Sequence, residues 1–251
     1  MTAGLKSRNE RVGRLRRSSG FTLVEILVTL ALSGLIMVTV YKAMSAQQKV
    51  YSVQEQAVDI QDNLRGAMAI IVRDLRLAGC DPLGTAGAGF LAAAAGTLRI
   101  TMDVTGGEAD GSDNDGNGLT DEPMEFADGN TTGIDENVLY ARFTDTDGSS
   151  CFGRDIGDGQ GFIPIARNVD ALEFYYTLAN GTRTLTPANP GDIRTVQVTI
   201  LARNAIEDNT FRNSFTYDLP SGNRVGPFND RFRRRILTTV VRCRNMGFKA
   251  Q

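Results

Sequence analysis

The chain has 251 residues, of which 27 are Lys or Arg and 29 are Asp or Glu, for a formal charge of −2. It contains no histidine and three cysteines, which excludes Ser-His-Asp and Cys-His catalysis, histidine-ligated zinc or haem, and four-thiolate zinc. With 41% hydrophobic and 22% charged residues the chain can bury a core of one or two domains, and nothing in it points to an enzyme.

The charge is unevenly spread along the chain. Residues 1–20 carry Lys6, Arg8, Arg11, Arg14, Arg16 and Arg17 against Glu10, a net of +5. Residues 21–41, FTLVEILVTLALSGLIMVTVY, hold a single charge, Glu25, and the rest of the chain nets −6. A basic leader, an apolar stretch long enough to cross a bilayer and an acidic body read as one membrane span with the N-terminus inside. The small residues Ser18, Ser19 and Gly20 come before the apolar run, whereas a secretory signal places its cleavage site after it. The polarity therefore favours removal of residues 1–20 and retention of the apolar segment 21–41. A carboxylate at the centre of such a segment costs ~2.5–3.5 kcal/mol, so Glu25 needs a partner. Within a chain that starts at Phe21, the nearest cation is the α-amino group four residues before it.

Residues 21–78 contain no proline and only Gly34 and Gly66. Beyond the apolar segment, Val50, Val53, Ala57, Ile60, Leu64, Met68, Ile71, Leu75 and Ala78 recur three or four residues apart, the spacing of one apolar stripe on a helix. The helix of the membrane segment thus continues as an amphipathic stalk over residues 42–79, ended by Gly79 and Pro82. Residues 83–96, LGTAGAGFLAAAAG, read as a loop with a helical turn. From residue 97 the period changes to two: Leu98, Ile100, Met102 and Val104; Val138, Tyr140 and Phe143; Leu172, Phe174 and Tyr176; Val196, Val198, Ile200 and Ala202; and a β-branched run from Ile236 to Arg242. These five strands predict an antiparallel sheet with one face on the helix, an α+β fold in which residues 80–251 form a β-rich domain outside the membrane.

Within that domain, residues 110–122, DGSDNDGNGLTDE, place Asp113, Asp115, Asn117 and Asp121 at relative positions 1, 3, 5 and 9, with Gly118 at 6 and the Leu119 carbonyl at 7. Alternate oxygens with a glycine at the sharp turn suit a hard cation, and calcium is the expected ligand of the acidic loop 110–125. Position 12 is Met124 in place of the bidentate glutamate, so Glu122 or Glu125 would have to substitute. The Asp145 to Asp158 stretch reads as turns. Cys80, Cys151 and Cys243 allow three single-bridge pairings, or none. Seven cations between Arg231 and Lys249 read as a solvated sheet edge, with no nucleic acid partner expected.

The segment Gly20-Phe21-Thr22-Leu23-Val24-Glu25 resembles the prepilin peptidase site of type IV pilins and of type II secretion pseudopilins. The resemblance implies a pilin-like fold, cleavage between Gly20 and Phe21, N-methylation of Phe21, and a meeting of Glu25 with the N-terminus of a neighbouring subunit during assembly. The stretches QDNLRGAMAIIVRDLRLAG (61–79), IARNVDALEFYY (165–176) and RRRILTTVVRCRN (233–245) are similar to PilW-like minor pilins. The implied protein is a low-abundance subunit that primes or caps a type IV pilus. It would pass from a single span in the inner membrane to the extracellular filament, with prepilin peptidase and other major and minor pilins as its partners. Two alternatives stand beside it: a minor pseudopilin of type II secretion, and a membrane-anchored calcium-binding module that never polymerises.

Overall fold

The computed structural model describes residues 20–107, 111–113, 118–121 and 126–247. The chain divides into two compact units, residues 1–52 and 53–251. One helix, α1 (Leu23–Leu77), supplies residues to both.

In the first unit, among the described residues, the helix buries none of its side chains. Phe21, Leu23, Leu27, Leu30, Leu32, Leu35, Ile36, Met37, Tyr41 and Met44 are all exposed. The segment is long and apolar enough to cross a membrane. Its hydroxyls are satisfied internally: Thr29 Oγ1 donates to the Glu25 carbonyl at 2.8 Å, Ser33 Oγ to the Thr29 carbonyl at 2.7 Å, and Thr39 Oγ1 to the Ile36 carbonyl at 2.7 Å. Such back-bonding removes the cost of carrying hydroxyls into an apolar medium.

In the second unit the same helix buries Ile60, Leu64, Ala67, Met68, Ile71 and Leu75, and Ala78 follows just past its end. Full burial of a Leu or Ile side chain contributes about 1.5–3 kcal/mol, so this stripe anchors the unit. It starts later than the spacing predicts, since Val50 is exposed and Val53 and Ala57 are half-buried. The helix ends as expected at Gly79, whose φ of 77° is left-handed and whose N–H donates to the Thr101 carbonyl at 3.0 Å. A Cβ there would come within 2.8 Å of Met246 Sδ, a flexible side chain that can give way, so it is the left-handed φ that calls for glycine.

Two antiparallel sheets, and not the single sheet expected, contribute to the core around this stripe. The first has five strands in sequential order, β1 (Phe90–Ala93), β2 (Thr97–Thr101), β3 (Asn137–Thr144), β4 (Ser150–Asp155) and β5 (Ile163–Arg167). The second follows from β6 (Val169–Leu178), β7 (Arg183–Thr184), β8 (Ile193–Arg203) and β11 (Arg234–Arg242), in the order β11-β8-β6-β7. A small hairpin, β9 (Tyr217–Asp218) and β10 (Arg224–Val225), lies in the connection between β8 and β11. The change of sheet falls at Asn168, the one residue between β5 and β6, which has a left-handed φ of 57° and so turns the chain where asparagine tolerates it. Leu64, Ile71 and Leu75 share one core with Leu98, Ile100, Tyr140 and Phe152 of the first sheet and Phe174, Val196, Val198 and Ile200 of the second.

The strands that the alternation pattern misses have local reasons. β1 lies in the small-residue stretch read as a loop, β4 has the sequence SCFGRD, and β5 contains Pro164, which is confined to sheet edges. The Asp145 to Ser149 turn is as expected, with Gly148 N–H on the Asp145 carbonyl at 2.9 Å, while Asp155 belongs to β4. Two long connections leave the sheets, residues 102–136 between β2 and β3 and residues 204–233 between β8 and β11.

Candidate processing and assembly site

The start of α1 is a reciprocal cap. The Thr22 Oγ1 accepts from the Glu25 N–H at 3.2 Å, and the Glu25 carboxylate accepts from the Thr22 N–H at 2.8 Å and from the Thr22 hydroxyl at 2.9 Å. Thr22 and Glu25 therefore form a capping box that satisfies two donors at the open end of the helix. The signal is legible as a threonine followed three residues later by a glutamate ahead of an apolar run, and the sequence reading missed it. Glu25 thus has a partner in its own chain, closer than the α-amino group of Phe21 that the charge argument nominates. Both groups of the box survive a cut between residues 20 and 21, because the Thr22 N–H belongs to the following peptide bond.

Gly20 and Phe21 precede the helix in exposed, non-helical chain, with Phe21 85% exposed. A Cβ built on Gly20 meets no atom within 4 Å, and its φ is not left-handed. Neither sterics nor backbone conformation requires glycine at this position, so a requirement for it comes from whatever reads this segment. Access to the Gly20–Phe21 bond is unobstructed among the described residues.

The acidic loop is only partly within the described residues. Asp115, Asn117 and Glu122, three of the residues nominated for calcium, lie outside them, as does Glu125. Asp113 accepts from the Gly118 N–H at 2.8 Å and Asp121, at a left-handed φ of 55°, accepts from the Gly111 N–H at 2.8 Å. Leu119 is 60% exposed. Among the described residues no group of three or more Asp, Glu, Cys or His is arranged to hold a metal ion.

What holds this connection in place was not anticipated. Asp103 and Glu136, one at each neck of the excursion, are both fully buried. Asp103 accepts from the Asp128 and Gly129 N–H groups at 3.1 Å, and Glu136 from the N–H groups of Val104, Thr105 and Gly133 at 2.8–2.9 Å. Burial, with the charges of Glu136 and Asp128 behind it, pushes the Asp103 carboxyl above the ordinary aspartate value, against the pull of its two N–H donors.

Another buried carboxylate ties the helix to the first sheet. Asp74 is 1% exposed and accepts from the Tyr140 hydroxyl of β3 at 2.5 Å and from Arg154 of β4 at 2.8 Å, while Arg154 also reaches Asp135 at 2.7 Å. Arg73 closes on the other Asp74 oxygen at 2.8 Å. Burial and the neighbouring Asp74 charge drive the Tyr140 hydroxyl far above its usual range. Asp74 sits inside the apolar stripe, three residues after Ile71. A charge at such a position is the sequence signal for a buried partner, one that apolar periodicity alone does not register.

Cys80, Cys151 and Cys243 are free thiols, the first half-buried and the others buried. Burial pushes the Cys243 thiol up to about 12, and burial together with Asp103 and Asp81 raises Cys80. Asn245, just past the last strand, joins the end of the helix: its amide donates to the carbonyls of Arg76 and Leu77 at 3.2 and 3.3 Å.

The model of the prokaryotic N-terminal methylation motif matches residues 15–41, the segment built around the Gly20–Phe21 bond and the capping box. No curated protein matches the chain. Among solved structures, a type IV-like pilin from Thermus thermophilus is similar over 74% of this chain and 97% of its own, at 17% identity and a TM-score of 0.45. The chain carries a prepilin-type methylation motif, followed by one long helix whose second half packs on antiparallel sheets.

Proposed function

We propose that this chain is a filament subunit of the type IV pilin kind, with the role of a minor pilin in assembly or priming. Prepilin peptidase cuts it between Gly20 and Phe21 and methylates the new N-terminus. The single observation that carries the reading is the 15–41 motif match, seated on a helix start whose glycine the fold does not require. It is supported by the unpacked apolar surface from Phe21 to Tyr51, which suits lipid before assembly and the helices of other pilins after it. The role is structural, and its partners are other major and minor pilins, prepilin peptidase and the inner membrane, with the filament as its destination.

Glu25 has two successive partners in this reading. In the free subunit the carboxylate closes the capping box on Thr22. On assembly it exchanges that bond for the methylated α-amino group of a neighbour, a stronger, charge-assisted partner in a dry environment. Calcium binding by the 110–125 loop remains part of the proposal through Asp113, Asp115, Asn117, Asp121, Glu122 and the Leu119 carbonyl.

Intact mass spectrometry of membrane and sheared-filament fractions from a piliated host tests the reading. The expected species begins at Phe21 and is heavier by one methyl group, and Gly20→Val should leave residues 1–20 attached. Full-length wild-type protein in both fractions would overturn it.

A further inference from the structure

Among the described residues, each edge of the two main sheets is blunted except one. β1 is four residues long with a register shift at Phe90/Ala92. β5 contains Pro164, and its pairing with β4 shifts between Phe152 and Gly153. β7 has two residues. These are the devices by which folded proteins keep an open edge from templating further strands. β11 has none of them: it runs nine residues in unbroken register with β8, from Arg234↔Arg203 to Arg242↔Thr195, and it is the outermost strand of its sheet.

Charge is the one protective device β11 could be using, and its side chains argue for a second role. Along one face, Ile236 is 40% and Val240 61% exposed, apolar residues where a strand built only to repel would carry polar ones. The cations are also sorted. Arg233 pairs with Asp208, and Arg234 with Asp170 and Asp230, whereas Arg235, Arg242 and Arg244 are exposed and form no ion pair among the described residues. In a chain with two more acids than bases, these three cations stand without an ion-pair partner among the described residues, at the ends of the regular open edge.

We infer that β11 is a strand-addition site for an extended acidic segment of another protein, which pairs with its free edge and places carboxylates against Arg235 and Arg242. Backbone hydrogen bonds supply affinity in this mode and side chains opposite each other supply selectivity. A second β11 is the wrong occupant. In the antiparallel register that pairs residues 235 to 242 fully, Arg235 of each copy would face Arg242 of the other, and like charges directly opposite repel. A partner with acids seven positions apart and β-branched residues between them meets both cations and covers Ile236 and Val240.

The test uses the full mature chain in detergent micelles and the labelled peptide Asp-Thr-Val-Thr-Thr-Thr-Val-Asp. Antiparallel pairing sets its terminal carboxylates opposite Arg242 and Arg235 and its valines opposite Val240 and Ile236. Saturable binding by fluorescence anisotropy is expected, with slowed amide exchange over residues 235–242. Exchanging the peptide's two acids for lysine should weaken it roughly tenfold or more, and the double variant Arg235→Glu/Arg242→Glu should reverse the preference. These side chains are exposed, so the variant keeps the fold, which near-ultraviolet circular dichroism would verify. Methylating alternate peptide nitrogens, in the frame that removes the N–H groups aimed at β11, should also cost roughly tenfold or more. Binding that survives both frames of methylation, or that polyglutamate or duplex DNA competes away equally well, would show a plain anion-attracting patch and overturn the inference. No binding, with charge reversal changing nothing, would assign the arginines to edge protection alone and overturn it equally.

Discussion

The two halves of α1 are made of similar residues in opposite circumstances. From Leu23 to Tyr41 the helix is apolar nearly all round and every large apolar side chain is exposed, whereas from Ile60 to Leu75 one stripe is apolar and that stripe is buried. Each half also carries a carboxylate that an apolar setting ought to reject. The Glu25 carboxylate accepts from the hydroxyl and the backbone N–H of Thr22, three residues away. Asp74 instead reaches across 66 and 80 residues to Tyr140 and Arg154. The first arrangement is local, closed within one helical turn. The second is tertiary, and fixes the helix to the sheet.

If that contrast is right, removing Asp74 is the most damaging single change available. Asp74→Ala takes the acceptor from the buried Tyr140 hydroxyl and leaves the part-buried Arg154 with Asp135 alone, and loss of one member of a buried pair costs about 3–5 kcal/mol. The expected result is a globular unit that melts far below wild type in thermal unfolding followed at the tyrosines, while Phe21 is still generated by processing. Asp74→Asn keeps an acceptor for Tyr140 and should lose less. Equal losses from Ala and Asn would show that the charge, and not the hydrogen bond, is what matters.

A pair of leucines sharpens the comparison further. Leu64 is 2% exposed and Leu32 is 55% exposed. Leu64→Ala should cost about 2–5 kcal/mol through lost burial and a residual cavity. Leu32→Ala should stay within about 0.5 kcal/mol in the detergent-solubilised chain, with any effect appearing only in incorporation into filaments. A comparable loss of stability from Leu32→Ala would mean that the first half of the helix packs against something within the protein.

Much of this division was legible from residue order alone. The apolar run, the stripe through Ile60, Leu64, Met68, Ile71 and Leu75, and the Gly79 stop are short-range patterns that period and backbone sterics dictate. So are the alternating strands at Leu98–Ile100, Phe174–Tyr176 and Val196–Ile200. What escaped notice depends on residues far apart in sequence or on polar groups that satisfy one another. The second sheet hinges on the left-handed Asn168. Strands β4 and β5 carry glycine and proline, and the anchors of the 102–136 connection are the isolated carboxylates Asp103 and Glu136. The calcium spacing reads clearly as letters, yet the described part of the loop uses Asp113 and Asp121 to accept backbone N–H groups. The capping box was the exception, a local signal present in plain sight at Thr22 and Glu25.

That box gives a smaller, local effect. Thr22→Ala removes one cap and should cost about 0.5–2 kcal/mol of helix stability, confined to the first turns of α1. Amide exchange in micelles should rise at residues 23–26 and stay unchanged from Ile60 onward. Glu25→Ala should produce the same fraying and in addition lower pilus assembly, because only the carboxylate can serve the second partner. If Thr22→Ala blocks assembly as fully as Glu25→Ala, the cap itself is the functional element and the partner exchange proposed for Glu25 is wrong.

The smallest effect separates packing from charge in the 204–233 connection. Asp208 accepts from the Thr210 hydroxyl at 2.6 Å and from its N–H at 2.9 Å, and pairs with Arg233 at 2.8 Å. These hydrogen bonds, the Thr210 pair first, hold its carboxyl down to about 2, from an ordinary value of 3.8. A carboxyl depressed on folding stabilises the protein fully above its unfolded value and loses that contribution as pH falls through its folded value. The stability difference between wild type and Asp208→Asn should therefore be constant above about pH 4 and should shrink as the pH approaches 2. Arg233 also stacks over Phe211 at 4.3 Å, a contact that the Asn variant leaves in place. A gap between the two proteins that persisted unchanged below pH 2 would mean that Asp208 contributes by shape and not by charge.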